Sequence, residues 1–219
     1  MVKRDSYMNR LIHSMWNGEI KVITGIRRCG KSVLLFDLFF EYLLSQNVSE
    51  DHILKIELDQ RRYYKFRNPI TLCEYVESTV RDRKDEKFYL FIDEVQLTTK
   101  VVDKENGGIE VTIYDMLNEL KAYKNLDVYV TGSNSKGLSK DIATEFRGRA
   151  TQIHVFPLSF AEFYSAVGLS LIHILAVVSV AAAVVSAVVS VVLDPHAAMD
   201  NVIATATVRL INFFITSPP

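Results

Sequence analysis

The sequence predicts an α/β fold built around a parallel β-sheet, and two observations lead to this prediction. Short apolar segments of strand length alternate with longer segments of helical length through residues 1–168. One of the short segments, Phe88–Ile92, is a continuous apolar run, which is typical of a strand that is buried on both faces. A sheet covered by helices on both faces satisfies both observations.

The first three predicted elements are a strand, a helix and a second strand. Glu19–Thr24 has the composition of a strand and runs directly into a loop that contains glycine. Lys31–Ser45 is long and rich in leucine and phenylalanine, so it is predicted to be a mostly buried helix. His52–Leu58 alternates between polar and apolar residues and is predicted to be a strand.

The remaining elements continue this alternation. Ile70–Arg83 carries apolar residues at four-residue intervals and is predicted to be a helix, which Phe88–Ile92 follows as the third strand. Thr98–Ile113 is polar around a Gly107-Gly108 turn and is expected to form an exposed loop or a hairpin. The later elements are the helices Tyr114–Tyr123 and Ser139–Phe146 and the strands Asp127–Thr131 and Thr151–Val155.

Charge and cysteine content restrict the class of protein. The net charge is −1, so the overall charge gives no reason to expect a nucleic acid or a membrane surface as partner. No apolar stretch follows the first residues, and no signal peptide is expected. Cys29 and Cys73 match neither a metal-ligand spacing nor a disulfide framework, which favours a reducing cytoplasm as the location.

Residues 169–219 contain only one of the 25 Lys/Arg and two of the 26 Asp/Glu, so they differ from residues 1–168 in charge content. Residues 174–193 qualify as a transmembrane helix by length and hydropathy, although they lack flanking basic and aromatic anchors. The hexapeptide Leu169–Ile174 is encoded by CTG TCT CTT ATA CAC ATC, which looks like a transposase adapter of sequencing libraries. We expect a non-homologous tail that arose as a sequencing or assembly artefact, with a genuine membrane anchor as the alternative.

The loop after the first strand has the spacing of a phosphate-binding P-loop, the Walker A motif G-x-x-x-x-G-K-S. Its two glycines permit the backbone to approach a phosphate closely, and its N–H groups with the following helix N-terminus are predicted to bind an anion. Lys31 is expected to reach the β- and γ-phosphates of ATP, and Ser32 to ligate Mg²⁺. The residues predicted to contact the nucleotide are Gly25, Ile26, Arg27, Arg28, Cys29, Gly30, Lys31, Ser32 and Val33.

A second motif, of the Walker B type, lies about 60 residues after the P-loop, where Phe88–Ile92 runs into Asp93 and Glu94. Asp93 is expected near the Mg²⁺, through the water shell of the ion, and Glu94 to polarise the attacking water as a general base. The pair favours hydrolysis over small-molecule kinase chemistry, which needs no water activator. Taken alone, such a run is more often a strand that meets a solvated loop.

Two further segments carry candidate catalytic residues. Asn134, or else Ser133, follows a strand and would face the γ-phosphate as a sensor, with a simple polar turn as the alternative. Arg149, or else Arg147, would project into the site of a neighbouring subunit as an arginine finger and thereby form a homo-oligomer. An exposed basic turn or an internal ion pair is the alternative for these arginines.

Gln60–Arg67 interleaves four cations with three aromatic residues, a pattern that surfaces for single-stranded nucleic acid use. More often, such a run is a solvated loop whose aromatic side chains turn inward. Both interpretations stay open.

Four segments together resemble the prokaryotic AAA-domain ATP-binding proteins of the AAA+ superfamily, over Met1–Gly168. The resemblance implies a P-loop NTPase fold, a three-layer αβα sandwich with a parallel five-stranded sheet in the order 5-1-4-3-2. It also implies Mg-ATP as ligand and a helical lid beyond the PLSF signature, which residues 169–219 do not match, so we expect an ATPase domain truncated after its core. The four segments are ITGIRRCGKS, FYLFIDEVQ, DVYVTGSNS and EFRGRATQIHVFPLSFAEF.

These patterns together predict Mg²⁺-dependent ATP hydrolysis by residues 1–168. An ATP-dependent regulatory switch with little turnover is an alternative. A membrane-anchored ATPase is another, if the tail is genuine.

Overall fold

The computed structural model describes residues 2–104, 107–133 and 150–166. Tertiary contacts divide the chain into two units, Met1–Glu162 and Phe163–Pro219, and the architecture below is that of the first unit. The predicted helix at residues 139–146 and the tail at 169–219 lie outside the described residues. None of the helices within the described ranges has the length and apolar character that crossing a bilayer requires.

Seven strands are described, and five of them form one parallel sheet, while β4 and β5 form a separate antiparallel hairpin. The hairpin confirms one of the two predictions for residues 98–113. In chain order the strands are β1 (Ile20–Thr24), β2 (Ile53–Glu57), β3 (Phe88–Asp93), β4 (Val101–Asp103), β5 (Ile109–Val111), β6 (Leu126–Gly132) and β7 (Ala150–His154).

Five α-helices accompany these strands within the described ranges. The predicted helix after the P-loop is wound as a π-helix over Val33–Phe39 before it becomes α-helical, a winding that is frequent at functional sites. The helix predicted over 70–83 ends at Val80. The helix before the first strand was not predicted. In chain order the helices are α1 (Asp5–Ser14), α2 (Phe40–Ser45), α3 (Pro69–Val80), α4 (Ile113–Leu120) and α5 (Phe160–Ala166).

The strand order of the sheet is β2-β3-β6-β1-β7, and every neighbouring pair is parallel. When only the five strands of this sheet are numbered, from 1 to 5 along the chain, their order is 2-3-4-1-5. This is the predicted order 5-1-4-3-2 read from the opposite edge of the sheet. The carboxyl ends of β1, β3 and β6 therefore meet at the same edge of the sheet, where open α/β sheets bind their ligands.

Alternate residues along β1 contribute to two separate hydrophobic cores, one on each face of the sheet. Ile20 and Val22 pack with the buried residues of α3 and α4 on one face. Ile23 packs on the other face with Leu11 of α1 and with the helix that follows the P-loop. Helices thus cover both faces of the sheet, and the predicted three-layer α/β architecture is confirmed.

The sequence marks where two of these helices begin. Asn68 precedes α3 and accepts hydrogen bonds from the N–H groups of Ile70 and Thr71, with Pro69 as the first helical residue. Thr112 and Asp115 form a reciprocal capping box at the start of α4. These caps satisfy backbone donors that the first turn of a helix leaves unpaired.

A buried ion pair joins β1 and β6 near their amino ends. The Lys21 ammonium, with no solvent exposure, donates to Asp127 Oδ1. The other carboxylate oxygen of Asp127 accepts from the Tyr129 hydroxyl at 2.8 Å and from the backbone N–H of Trp16 at 3.0 Å. Burial lowers the pKa of Lys21, while the Asp127 charge acts in the opposite direction. Each buried side-chain nitrogen or oxygen of the network has at least one hydrogen-bond partner, as buried charges need.

Candidate functional site

The loop of residues 25–32 leaves the carboxyl end of β1, and its first residue is tightly enclosed. Gly25 has a φ of +151°, and a Cβ there would lie 2.3 Å from the Val155 carbonyl oxygen and 2.8 Å from Cys29 Sγ. Gly30 has a φ of +91°, a region that side chains disfavour. Both glycines of the motif are therefore required by the observed backbone.

The remaining loop residues divide into exposed and buried positions. Ile26, Arg27 and Arg28 are exposed, and Arg28 adopts a left-handed conformation with a φ of +65°. Cys29 is buried, and its N–H donates to the Ile26 carbonyl at 3.3 Å, which closes a turn. Val33 is exposed at the start of the π-helical segment. The exposed face of the loop is therefore formed by residues 26–28.

Lys31 is only 4% exposed because its side chain folds back under the loop. Its Nζ donates to the carbonyl oxygens of Gly25 at 3.1 Å and Ile26 at 3.0 Å. The positive charge of Lys31 is thus held within the curve of the loop backbone.

Two predicted metal ligands from different motifs, Ser32 and Asp93, lie at this edge of the sheet. Asp93 ends β3, and the Thr131 hydroxyl of β6 donates to Asp93 Oδ1. Asp93 is 5% exposed, and this burial raises its pKa, although the Thr131 and Ser32 hydroxyls act in the opposite direction.

The donor set of Ser32 and Asp93 fits Mg²⁺, which prefers hard oxygen ligands and keeps several waters. Within the described ranges, no three His, Cys, Asp or Glu side chains are grouped so that they could hold a metal ion. A cation bound by one carboxylate and one hydroxyl would therefore take its other ligands from water and from phosphate oxygens.

The backbone after β3 is strained at Glu94, the predicted general base. Glu94 has left-handed dihedral angles, φ +53° and ψ +51°, which are costly for a residue other than glycine. Its N–H donates to Asp93 Oδ1 at 3.1 Å and to Thr131 Oγ1 at 3.2 Å. The Thr131 hydroxyl therefore holds both acidic residues of the motif in place.

Gln96 is a polar contact of this site that sequence reasoning missed. Its side-chain amide donates to Glu94 Oε2 and, at 3.0 Å, to the Ser133 hydroxyl. It links the predicted base to one of the two predicted sensors. Ser133 follows the end of β6 and is half-buried. The signal in the sequence is the place of Gln96 at the end of the segment FYLFIDEVQ, two residues after Glu94.

Three other predicted catalytic residues, Asn134, Arg147 and Arg149, lie outside the described residues. The sensor role of Asn134 and the arginine finger with its homo-oligomer therefore stay predictions.

Arg4 is a second residue that sequence reasoning missed, and it contacts the P-loop directly. Its Nη1 donates to the Cys29 carbonyl at 2.9 Å, its Nη2 to the Phe156 carbonyl at 2.8 Å, and its Nε to Glu162 Oε1 at 3.1 Å. The side chain is 5% exposed. No periodicity or motif in the sequence indicates these contacts, because the partners are distant along the chain.

The basic and aromatic segment at residues 60–67 forms a 3₁₀-helix over Arg61–Arg67. Phe66 is buried and Tyr63 packs against the core, whereas Tyr64 is 49% exposed. Arg67 donates to the Leu58 carbonyl at 2.9 Å. Two of the three aromatic side chains thus turn inward, as expected for a solvated segment whose aromatic residues contact the core. The nucleic-acid interpretation stays a prediction.

Comparison with known proteins identifies relatives of this chain. A family model described as an AAA domain matches residues 17–164. An uncharacterised protein of Haemophilus influenzae is 32% identical over 166 residues, which are 76% of this chain and 38% of that protein. An uncharacterised protein of Methanocaldococcus jannaschii is 29% identical over 168 residues, which are 74% of this chain and 32% of that protein. The chain thus spans less than two fifths of the length of these curated relatives.

Solved structures share the fold. The Walker-type ATPase PABY2304 of Pyrococcus abyssi has a TM-score of 0.50 at 18% identity, over 78% of this chain and 60% of that one. PCH-2 of Caenorhabditis elegans has a TM-score of 0.53 at 14% identity, over 75% of this chain and 47% of that one. From the strand order, the loop geometry and the family match over residues 17–164, the chain belongs to the AAA domain family and has the P-loop NTPase fold.

Proposed function

We propose that residues 1–168 form an ATPase domain that binds Mg-ATP on the loop 25–32 and hydrolyses the bond between the β- and γ-phosphates. The observation that carries this proposal is that the P-loop leaves β1 at the same edge of the sheet where β3 ends in the buried Asp93. A loop that only turned the chain would not need a buried carboxylate at this edge.

The loop supplies the binding site for the phosphates. Its N–H groups bind phosphate oxygens, and Lys31 exchanges its carbonyl acceptors for the more strongly attracting β- and γ-phosphate oxygens. The glycines at 25 and 30 leave the backbone free of side chains where a phosphate approaches.

Ser32 and Asp93 would hold the metal ion with the hydroxyl and the carboxylate. When bound, Mg²⁺ would neutralise charge on the β- and γ-phosphate oxygens and so favour departure of ADP. The hydrogen bond from Thr131 keeps the Asp93 carboxylate in one orientation.

Glu94 accepts a proton from the attacking water while the water oxygen forms a bond to the γ-phosphorus and the bond to the leaving ADP oxygen breaks. The products are ADP and inorganic phosphate. Gln96 orients the Glu94 carboxylate through its side-chain amide. The left-handed backbone of Glu94, held by Thr131, sets the direction in which its side chain leaves β3.

Glu94→Gln is expected to lower the rate of ATP hydrolysis about a hundredfold or more, because it removes the general base, while Mg-ATP still binds. Phosphate release measured under saturating Mg-ATP, together with equilibrium binding of ATP, checks this. Glu110→Gln in the exposed hairpin is a matched control that should keep the wild-type rate. Wild-type turnover that is barely detectable and unchanged in Glu94→Gln would contradict hydrolysis and favour a nucleotide-dependent switch.

Lys31→Ala is expected to weaken ATP binding about a hundredfold, because charged hydrogen bonds to the phosphates are lost. The measurement is a titration with a fluorescent ATP analogue, and thermal unfolding shows whether the variant is folded. Lys55→Ala removes a lysine that lies over the Phe40 ring, and it should bind ATP as the wild type does. If ATP binding survives Lys31→Ala, the assignment of the loop is wrong.

A further inference from the structure

We propose that Arg4 is a positioning residue of the nucleotide site, which fixes the P-loop in its phosphate-binding conformation through the Cys29 carbonyl. This inference rests on the proposed binding of ATP and does not depend on hydrolysis. The AAA domain match begins at residue 17, so Arg4 lies outside the matched part of the chain.

The Arg4 guanidinium connects three segments that are remote in sequence. One N–H donates to the loop at Cys29, a second to the backbone at Phe156 after β7, and a third to the Glu162 carboxylate in α5. The centroid of the Tyr7 ring, on the same N-terminal segment, lies 4.5 Å from the guanidinium carbon of Arg4. A planar guanidinium with several fixed donors suits this arrangement, which one ammonium group would not reproduce.

The contact with Cys29 determines the direction of a loop N–H group. The peptide between Cys29 and Gly30 is planar and trans, so fixing the carbonyl oxygen of Cys29 also fixes the N–H of Gly30 on the opposite side. The guanidinium packs against this peptide, since Nη1 would lie 3.6 Å from a Cβ at Gly30. Without Arg4, the peptide would be free to rotate, and binding phosphate would carry the entropic cost of ordering it.

The partners of Arg4 keep its side chain from moving. Glu162 accepts from Arg4 Nε through one carboxylate oxygen and from the Ser159 N–H, at 2.7 Å, through the other. An almost completely buried arginine is stable only when it is paired and hydrogen-bonded, and Glu162 supplies the opposite charge. The conformation of the P-loop therefore depends on residues outside the loop and its two flanking elements.

Arg10 offers a matched control for Arg4. Arg10 lies in α1, and its Nη2 donates to the Gln152 carbonyl in β7 at 3.1 Å. Both arginines tie the N-terminal segment to the region of β7, but the described contacts of Arg10 do not include the P-loop. Arg10 is exposed, and Arg10→Met tests whether loss of a contact between α1 and β7 is by itself enough to lower the affinity.

The test compares Arg4→Met with Arg10→Met in the full chain. Each variant is titrated with a fluorescent ATP analogue and Mg²⁺, at a temperature where thermal unfolding shows that the variant is folded. We expect the dissociation constant to be about tenfold higher than that of the wild type for Arg4→Met and nearly unchanged for Arg10→Met. Amide hydrogen exchange in residues 25–32 without nucleotide should be faster in Arg4→Met alone. Arg4→Lys should not restore the affinity.

Equal affinities of the two variants would overturn the inference. If Arg4→Met does not fold, the variant Glu162→Gln tests the inference instead, because it keeps Arg4 but removes the negative charge that holds its side chain. We expect this variant to have a dissociation constant for ATP about threefold higher than that of the wild type. Wild-type affinity of Glu162→Gln would then overturn the inference. A wild-type chain that binds no Mg-ATP would instead contradict the proposed function.

Discussion

Gly25→Ala is expected to lower the free energy of unfolding by about 2–5 kcal/mol, from overpacking and from backbone strain together. The added Cβ would meet the Val155 carbonyl oxygen at 2.3 Å, and this atom belongs to the backbone, so no side-chain rotation relieves the clash. The Val155 N–H in turn donates to the Thr24 carbonyl at 2.7 Å, so the segment after β7 cannot withdraw without breaking a hydrogen bond. ATP binding should weaken by at least about tenfold as the loop shifts.

Gly18→Ala is the control for this prediction, since Gly18 also has a positive φ, +76°, but a Cβ there would meet no atom within 4 Å. Its cost should be limited to about 1 kcal/mol of backbone strain, with ATP affinity retained. Chemical denaturation and ATP titration of both variants are the measurements. Equal stabilities of the two variants would show that the contact with Val155 does not constrain position 25.

Asp127→Ala is expected to lower the free energy of unfolding by about 3–5 kcal/mol, because it leaves the buried Lys21 ammonium without its counter-charge. The same change removes the carboxylate that accepts hydrogen bonds from the Tyr129 hydroxyl and from the backbone N–H of Trp16. The ion pair lies near the amino ends of its strands, away from the P-loop, so ATP affinity of the folded variant should equal that of the wild type. Urea denaturation gives the free energy.

The double variant Lys21→Met with Asp127→Ala separates the two causes of this loss. Removing both charges should recover at least about 1 kcal/mol relative to Asp127→Ala alone, since no uncompensated charge stays buried. A double variant that is less stable than the single one would mean that packing, rather than the isolated charge, dominates the effect.

The sheet could be predicted from sequence because its strands carry local signals. Phe88–Ile92 is apolar throughout and is buried throughout, and β1 runs into a loop whose glycines mark its end. The order of the strands is not a local property and came from the resemblance of four motifs to a family. The same motifs follow β1 and β3, whose carboxyl ends lie at one edge of the sheet.

The polar contacts between distant segments could not be predicted from sequence, because hydrogen bonds leave no periodic pattern. Arg4 and Glu162 are ordinary surface residue types, and Arg4 becomes buried and Glu162 half-buried only when three segments meet. Lys21 interrupts an otherwise apolar strand, which is a signal for a buried counter-ion, but Asp127 as partner follows only from the pairing of β1 with β6. The left-handed backbone of Glu94 has no sequence signature, since glycine and asparagine are the usual residues there.

The position of β1 in the sheet also determines when the chain can complete its fold during synthesis. β2 and β3 pair with each other and can associate early, whereas both neighbours of β1 are encoded more than a hundred residues after it. At ribosomal rates of about 5–20 residues per second, β1 waits on the order of ten seconds for its partners. Because Gly25 also packs against Val155, the P-loop reaches its final geometry only after β7 has been made. A nascent chain therefore carries the whole P-loop sequence long before it has a nucleotide site, and its apolar first strand is available to chaperones throughout that interval.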